Sequence, residues 1–216
     1  MTATNRIGVF GGAFAPFHNG HLRLAIEARE QLGLAEVRLM PTAEPPHRPS
    51  PSVAFQRRAH WVELATRDEP GLRLDRREGR RTGPSYTVDS LAELRAECPG
   101  QALVLILGSD AFAQFDSWER WREIAALANV AVTARLGRSP QAPAALEGVL
   151  RKARARPEFD AQDAGYWIEL PTPALSISST AIRKLLKERR SLRGLVPPAM
   201  LNDFEPQDIQ ALIDYD

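Results

Sequence analysis

Apolar runs and helix-spaced apolar positions alternate along almost the whole chain. Ile7–Phe10 reads as a buried strand closed by Gly11-Gly12. Across 20–33, Leu22, Leu24, Ala25, Ala28 and Leu32 recur at roughly helical spacing, and Gly33 is a natural C-terminal stop. Val37–Met40 is a second strand, a helix spans about 53–68, and Leu72–Leu74 is a short third strand. Ser85–Glu97 patterns as a helix, Leu103–Leu107 as a buried strand ending at Gly108, and another helix precedes a short strand at Asn129–Thr133. The Ala-, Pro- and Arg-rich stretch 138–165 predicts a helix over 144–156 followed by a loop. Tyr166–Leu170 is a last strand, Ser178–Arg190 a helix, and Pro197-Pro198 opens a short helical stretch. Strand, crossover helix, strand at this spacing predicts an α/β protein with a parallel sheet covered on both faces. Ligands of such sheets sit beyond the carboxyl ends of the strands, where the strand order reverses, so the glycines at 11–12 and 108 mark the places to look.

Composition narrows the function classes. With 44% apolar and 25% charged residues in 216, the chain can bury a core and stay in solution, and no repeat or linker divides it. A net charge of +1 provides no global field for nucleic acid or an anionic membrane, so the Arg-rich segment 76–81 reads as a solvated strand edge rather than an RNA-binding patch. The single cysteine, Cys98, excludes an intrachain disulfide and a cysteine-rich zinc site. The longest apolar run, Ala102–Leu107, is far short of a membrane span, and the polar start Met1–Arg6 leads straight into a strand without the pattern of a signal peptide. A cytoplasmic protein is expected.

The segment Gly11-Gly-Ala-Phe-Ala-Pro-Phe-His-Asn-Gly-His21 joins the first strand to the first helix. The two glycines allow positive φ and a close approach of backbone to ligand, and the helix starting near Gly20 adds free N–H groups and the positive end of its dipole. His18 and His21, three apart, share a face there. Two imidazoles over a glycine cradle suit a polyphosphate whose charge rises during transfer. A zinc site would need a third ligand, which Asn19 does not supply, and two histidines merely capping a helix are the structural alternative. Near the other end, Ser176–Arg183 sets a hydroxyl cluster before a helix: Ser178 is a good N-cap, and Arg183 lies one turn in, where its fork can clamp a phosphate. A well-capped helix with a solvated arginine is the plain alternative.

Gly-Gly-x-Phe-x-Pro-x-His-x-Gly-His resembles the signature of the nucleotidyltransferase superfamily that shares an HxGH motif, and Ile177-Ser-Ser-Thr-Ala-Ile-Arg183 resembles its Ile-Ser-x-Thr-x-x-Arg motif. Three more segments narrow the resemblance. They are Pro45-Pro-His-Arg48, in a twelve-residue stretch Pro41–Ser52 with five prolines; Gly83-Pro-Ser-Tyr-Thr87; and Gly108-Ser-Asp110 with Phe115-Asp-Ser-Trp118. In this order they are similar to those of the bacterial nicotinate-nucleotide adenylyltransferases, over about 7–136 and 168–197.

The resemblance implies a Rossmann-like, doubly wound parallel sheet with a small helical C-terminal extension from about 178, a single nucleotidyltransferase domain over 1–216, and transfer of the adenylyl group of ATP to nicotinate mononucleotide. It implies catalytic roles for His18, His21 and Arg183, and ATP binding by Gly11, Gly12, Ala13, Phe14, Gly108, Asp110, Arg135, Ser178 and Thr180. His47, Arg48, Tyr86, Thr87 and Trp118 would hold the nicotinate nucleotide, Trp118 stacking on the pyridinium ring. Mg2+ would arrive with ATP rather than in a fixed cage; neither nucleic acid nor membrane is expected as a partner, and a homo-oligomer stays open. The chain departs from the family pattern at Ala13 (usually Thr or Ser), Ala15 (Asp), Thr42 (Asn) and Glu119 (an aromatic). The same chemistry on nicotinamide mononucleotide or another phosphate acceptor, and a non-catalytic nucleotide-binding protein, are the alternatives.

Overall fold

The computed structural model describes residues 5–46, 49–133, 139–160, 163–172 and 175–215. Its strands are β1 (Arg6–Gly12), β2 (Glu36–Pro41), β3 (Leu72–Leu74), β4 (Ala102–Gly108), β5 (Asn129–Thr133), β6 (Arg151–Lys152) and β7 (Tyr166–Leu170). They form one sheet in the order β3-β2-β1-β4-β5-β7-β6, and β1–β4, β4–β5, β5–β7 and β6–β7 pair in parallel. The order reverses between β1 and β4, the switch point of a doubly wound sheet. The central strands β4 and β5 are buried from Ala102 to Leu107 and from Asn129 to Thr133, as a parallel sheet covered on both faces requires. Gly8 in β1 is where side chains from its neighbours close in. A Cβ there would stand 2.8 Å from Leu34, 2.9 Å from Val37 and 3.1 Å from Ile106.

The helices are α1 (Asn19–Leu32), α2 (Phe55–Thr66), α3 (Thr87–Glu97), α4 (Ser109–Phe112), α5 (Trp121–Leu127), α6 (Arg156–Asp160), α7 (Ser179–Lys187), α8 (Pro198–Leu201) and α9 (Pro206–Asp214). Gly33 closes α1 at φ 59°, as expected of a glycine stop. The α/β class, the parallel sheet and the helical C-terminal extension therefore stand as the pattern and the resemblance implied.

Two expectations are corrected. No helix spans 144–156: a 3-10 turn at Ala144–Leu146 is followed by the two residues of β6, because Gly148 takes φ 77° and ends the helical path. The segment 76–81 is not a solvated strand edge but contains the 3-10 helix Arg77–Arg80. Arg77 is 5% exposed and its Nε and Nη2 donate to Asp75 at 3.0 and 2.7 Å, so an internal carboxylate takes up the charge. Arg6, the first residue of β1, is likewise buried and pairs with Asp160 at 3.0 Å.

Contacts gather the chain into two compact units. The first comprises Met1–Phe10, Glu27–Arg38 and Tyr86–Ala174, and its core is the stack of β4, β5 and β7 under Phe112, Phe115, Ile124 and Phe159. The second comprises Gly11–Ile26, Leu39–Ser85 and Leu175–Asp216. Its core is the buried face of α2, where Trp61 meets Phe204 edge to face at 5.0 Å, and α9 packs on α7. Among the described residues, no helix is long and apolar enough to cross a membrane.

Candidate active site

In the second unit, residues 13–18 carry the chain from the end of β1 to the start of α1. The positive φ expected of Gly11 and Gly12 falls instead on Phe14, at 49°. Both glycines remain strand residues, held in part by Thr42, whose N–H donates to the Gly12 carbonyl at 2.9 Å. Glycine at 12 answers to packing, since a Cβ there would stand 2.9 Å from the Phe14 ring. Phe14 itself is buried, edge-on to Phe17 at 5.2 Å and to His21 at 5.1 Å.

His18 is 5% exposed, just before α1, and stacks on His21 with ring centroids 3.5 Å apart and planes 13° from parallel. Glycine at 20 makes this possible, because a Cβ there would come within 3.0 Å of His18 Nδ1. The His21 N–H donates to the His18 carbonyl at 2.9 Å and lies 3.2 Å from His18 Nδ1. Burial lowers the pKa of His18 to about 4. Burial, and then the charge His18 would carry, pushes His21 well below the usual histidine range. Both rings are therefore neutral N–H donors at pH 7 in the free protein. Two imidazolium rings this close would repel by about 4–5 kcal/mol at an effective dielectric near 20, so the pair accommodates at most one extra proton.

The second motif lies in the same unit. Ser178 caps α7, its Oγ accepting from the Ala181 N–H at 3.1 Å, as the sequence predicts. Arg183, one turn in, donates from Nη1 to the Ala15 carbonyl at 3.0 Å and from Nη2 to Thr180 Oγ at 3.3 Å. Ser179, which the sequence reading passed over, donates to the Pro16 carbonyl at 2.9 Å and ties α7 to the loop a second time. The 13–18 loop and α7 are thus tied together by hydrogen bonds to the Ala15 and Pro16 carbonyls, and a Cβ at Gly20, between the two histidines, would stand 3.4 Å from the Ile177 carbonyl just before α7.

A further participant had no motif to betray it. Arg58 in α2 is 1% exposed, donating from Nη1 to the Ala13 carbonyl at 2.6 Å and from Nε to the Val53 carbonyl at 3.0 Å. Burial lowers its pKa to about 10, which leaves it charged at neutral pH. The carbonyls of Ala13 and Ala15, whose oxygens would repel a phosphate, are each turned onto a guanidinium. A buried arginine within an amphipathic helix is indistinguishable in sequence from a surface one, which is why this residue was missed.

The first unit holds the segments expected to choose the acceptor. Tyr86 is the N-cap residue of α3 and Thr87 its first residue; the Tyr86 side chain makes no capping hydrogen bond, and the Asp89 N–H donates to the Tyr86 carbonyl at 3.2 Å. Trp118 is half-buried, its ring 5.7 Å from that of Phe115. Glu119, a potential source of repulsion, is exposed. Arg120, at φ 49°, pairs with Asp89 in the first turn of α3 and so links the Trp118 segment to that helix start. Gly108 ends β4 and Asp110 is exposed in the first turn of α4. In the second unit, Ser85 fixes the loop after β2, its N–H donating to the Glu44 carbonyl at 2.8 Å while its Oγ accepts from the Glu44 N–H at 3.1 Å. His47, Arg48 and Arg135 lie outside the described residues.

The chain is similar to known proteins along most of its length. The model of the family described as Cytidylyltransferase-like matches residues 9–185. A protein of Halorhodospira halophila named "Probable nicotinate-nucleotide adenylyltransferase" is 45% identical over 196 residues, 90% of each chain. One of Aeromonas hydrophila with the same name is 39% identical over 206 residues, 94% of this chain and 96% of its own. The fold is similar to that of Plasmodium falciparum nicotinic acid mononucleotide adenylyltransferase complexed with NaAD, at a TM-score of 0.65 and 17% identity over 96% of this chain and 94% of that one.

Proposed function

Because the chain belongs to the nicotinate-nucleotide adenylyltransferase family, we infer that it joins ATP to nicotinate mononucleotide, giving deamido-NAD and pyrophosphate in NAD biosynthesis. The observation that carries the chemistry is the stacked, neutral His18–His21 pair, clustered with Thr180 and Arg183 through the ties between α7 and the 13–18 loop.

An oxygen of the acceptor's 5′-phosphate attacks the α-phosphorus of ATP, the bond from that phosphorus to the bridging oxygen breaks, and its electron pair leaves on pyrophosphate. The cluster contains no activated nucleophile, and Cys98 sits after α3, outside every motif. Direct in-line displacement follows, with positioning and charge stabilisation as the catalytic terms. A ring N–H of His18 donates to the α-phosphate, whose charge rises in the transition state. His21, Thr180 and the free N–H groups of Arg183 receive the β- and γ-phosphates. ATP binding is further assigned to the backbone of Gly11, Gly12, Ala13 and Phe14, to the N-cap of α7 at Ser178, and to Gly108, Asp110 and Arg135. ATP enters with Mg2+, which neutralises phosphate charge. The exposed carboxylate of Asp110 suits a cation that keeps most of its waters.

The acceptor's carboxylate is assigned to the start of α3 at Tyr86 and Thr87, its ring to Trp118, and its phosphate end to His47 and Arg48. The same reading treats 1–216 as one nucleotidyltransferase domain, in keeping with relatives matched along at least nine-tenths of their length, and places it in the cytoplasm.

Pyrophosphate release from Mg-ATP, with the nicotinate and nicotinamide mononucleotides side by side, tests the assignment. The acid is expected to be strongly preferred. His18→Ala is expected to lower kcat by about 10²–10³, the loss typical of one transition-state donor. Equal use of acid and amide would remove the carboxylate site at α3 and keep the chemistry; ATP binding without release would remove the chemistry.

A further inference from the structure

Two arginines hold the carbonyls of the phosphate loop, Arg58 on Ala13 and Arg183 on Ala15, and an aromatic ring attends the second. The Arg183 guanidinium lies 4.9 Å over the ring of Tyr215, the residue after α9. The Tyr215 hydroxyl points to the Pro49 carbonyl, 3.5 Å away in the proline-rich loop after β2, and the ring is half-buried. All these residues belong to the second unit.

We propose that Tyr215 is a positioning residue for ATP binding, its ring holding the Arg183 guanidinium in the orientation that bridges Ala15 and Thr180 and leaves its remaining N–H groups for phosphate. Three rotatable methylenes separate that guanidinium from its backbone, and two neutral acceptors, one a hydroxyl that itself rotates, are its recorded hydrogen-bond partners. A flat π face 4.9 Å from the guanidinium restricts that freedom, and the contact needs no hydroxyl. The final helix is thereby part of the nucleotide site, although no phosphate-binding pattern occurs in residues 198–216. The inference rests on Arg183 as a phosphate-binding group.

Calorimetric ATP binding with Mg2+, without acceptor, tests it on the full chain together with steady-state kinetics. Tyr215→Leu keeps apolar bulk and removes the π face; it is expected to weaken ATP binding by about fivefold and to raise KM for ATP by a similar factor. KM for nicotinate mononucleotide should stay within twofold. Tyr215→Phe is expected to restore ATP affinity to within twofold of the original. In an Arg183→Ala background, Tyr215→Leu should have no further effect. A Leu variant that binds ATP like the original, or loses affinity equally with and without Arg183, overturns the proposal. In either case, acid-dependent pyrophosphate release by the unaltered protein would leave the proposed function intact. An unaltered protein that does not bind ATP overturns both.

Discussion

At the residue scale, the chemistry of the cluster rests on the protonation state of His18. Its pKa of about 4 in the folded chain lies below the ordinary value of 6.5, with burial as the cause. Between those values the unfolded chain takes up the proton and the folded chain does not, so acid favours unfolding. The stabilising effect of neutral His18 is complete above pH 6.5 and is lost as the pH falls toward 4, a difference of roughly 3 kcal/mol. Urea midpoints measured from pH 7.5 to 4.5 should fall, and His18→Asn should flatten that slope. Equal slopes would show that His18 titrates normally in the folded protein. Both histidines were legible in sequence because a pair three apart beside glycines has few uses. Their stacking was not, because it depends on the absence of a Cβ at Gly20, which places the His18 ring against the first turn of α1. Likewise Gly12 was legible as a glycine, but its reason was misread: it makes room for Phe14 and does not itself take a positive φ.

At the scale of the element, α7 is the piece whose sequence and structure agree most closely. Its cap was predicted and is found, with Ser178 Oγ accepting from Ala181. Ser178→Ala leaves an N–H of the first turn without that acceptor, at a cost of about 1 kcal/mol of stability. The same turn is assigned to phosphate, so the variant should bind ATP more weakly than its stability change alone explains. Titrating ATP at a temperature where both proteins are fully folded separates the two effects, and unchanged affinity there would limit Ser178 to capping. Elements with strong periodicity or a fully apolar run, such as β4 and α3, were readable for the same reason α7 was. The stretch 144–156 was not, because Ala and Leu favour a helix locally while the glycine at 148 takes φ 77° and turns the chain into β6. The 3-10 helix at Arg77–Arg80 failed differently: arginines read as solvated unless a buried acceptor is known, and Asp75 becomes one only in the fold.

At the scale of the whole molecule, the second unit is assembled from three separate stretches of chain, and what joins them is invisible to pattern. Arg57 in α2 is the clearest joint. It pairs with Asp208 in α9 at 2.6 Å and with Asp203 before it at 2.7 Å, and it donates to the Asp203 carbonyl. Asp208 raises the pKa of Arg57 chiefly by hydrogen bonding. Asp208 is 6% exposed and also closes the capping box of α9 with Glu205, so it cannot simply turn to solvent when its partner is lost. Arg57→Met keeps the stem that packs near Trp61 and leaves this carboxylate uncompensated. Removing one partner of a buried pair costs about 3–5 kcal/mol, and the partial exposure of Arg57 places this case at about 2–3. The urea midpoint should fall accordingly with little change in slope, since the surface exposed on unfolding is nearly the same. Adding Asp208→Asn should recover part of the loss, because a neutral amide needs no counter-charge. If the double variant is no better than Arg57→Met, what holds α9 to α2 is the packing of Trp61 on Phe204, and the ion pairs are incidental to the assembly of the unit.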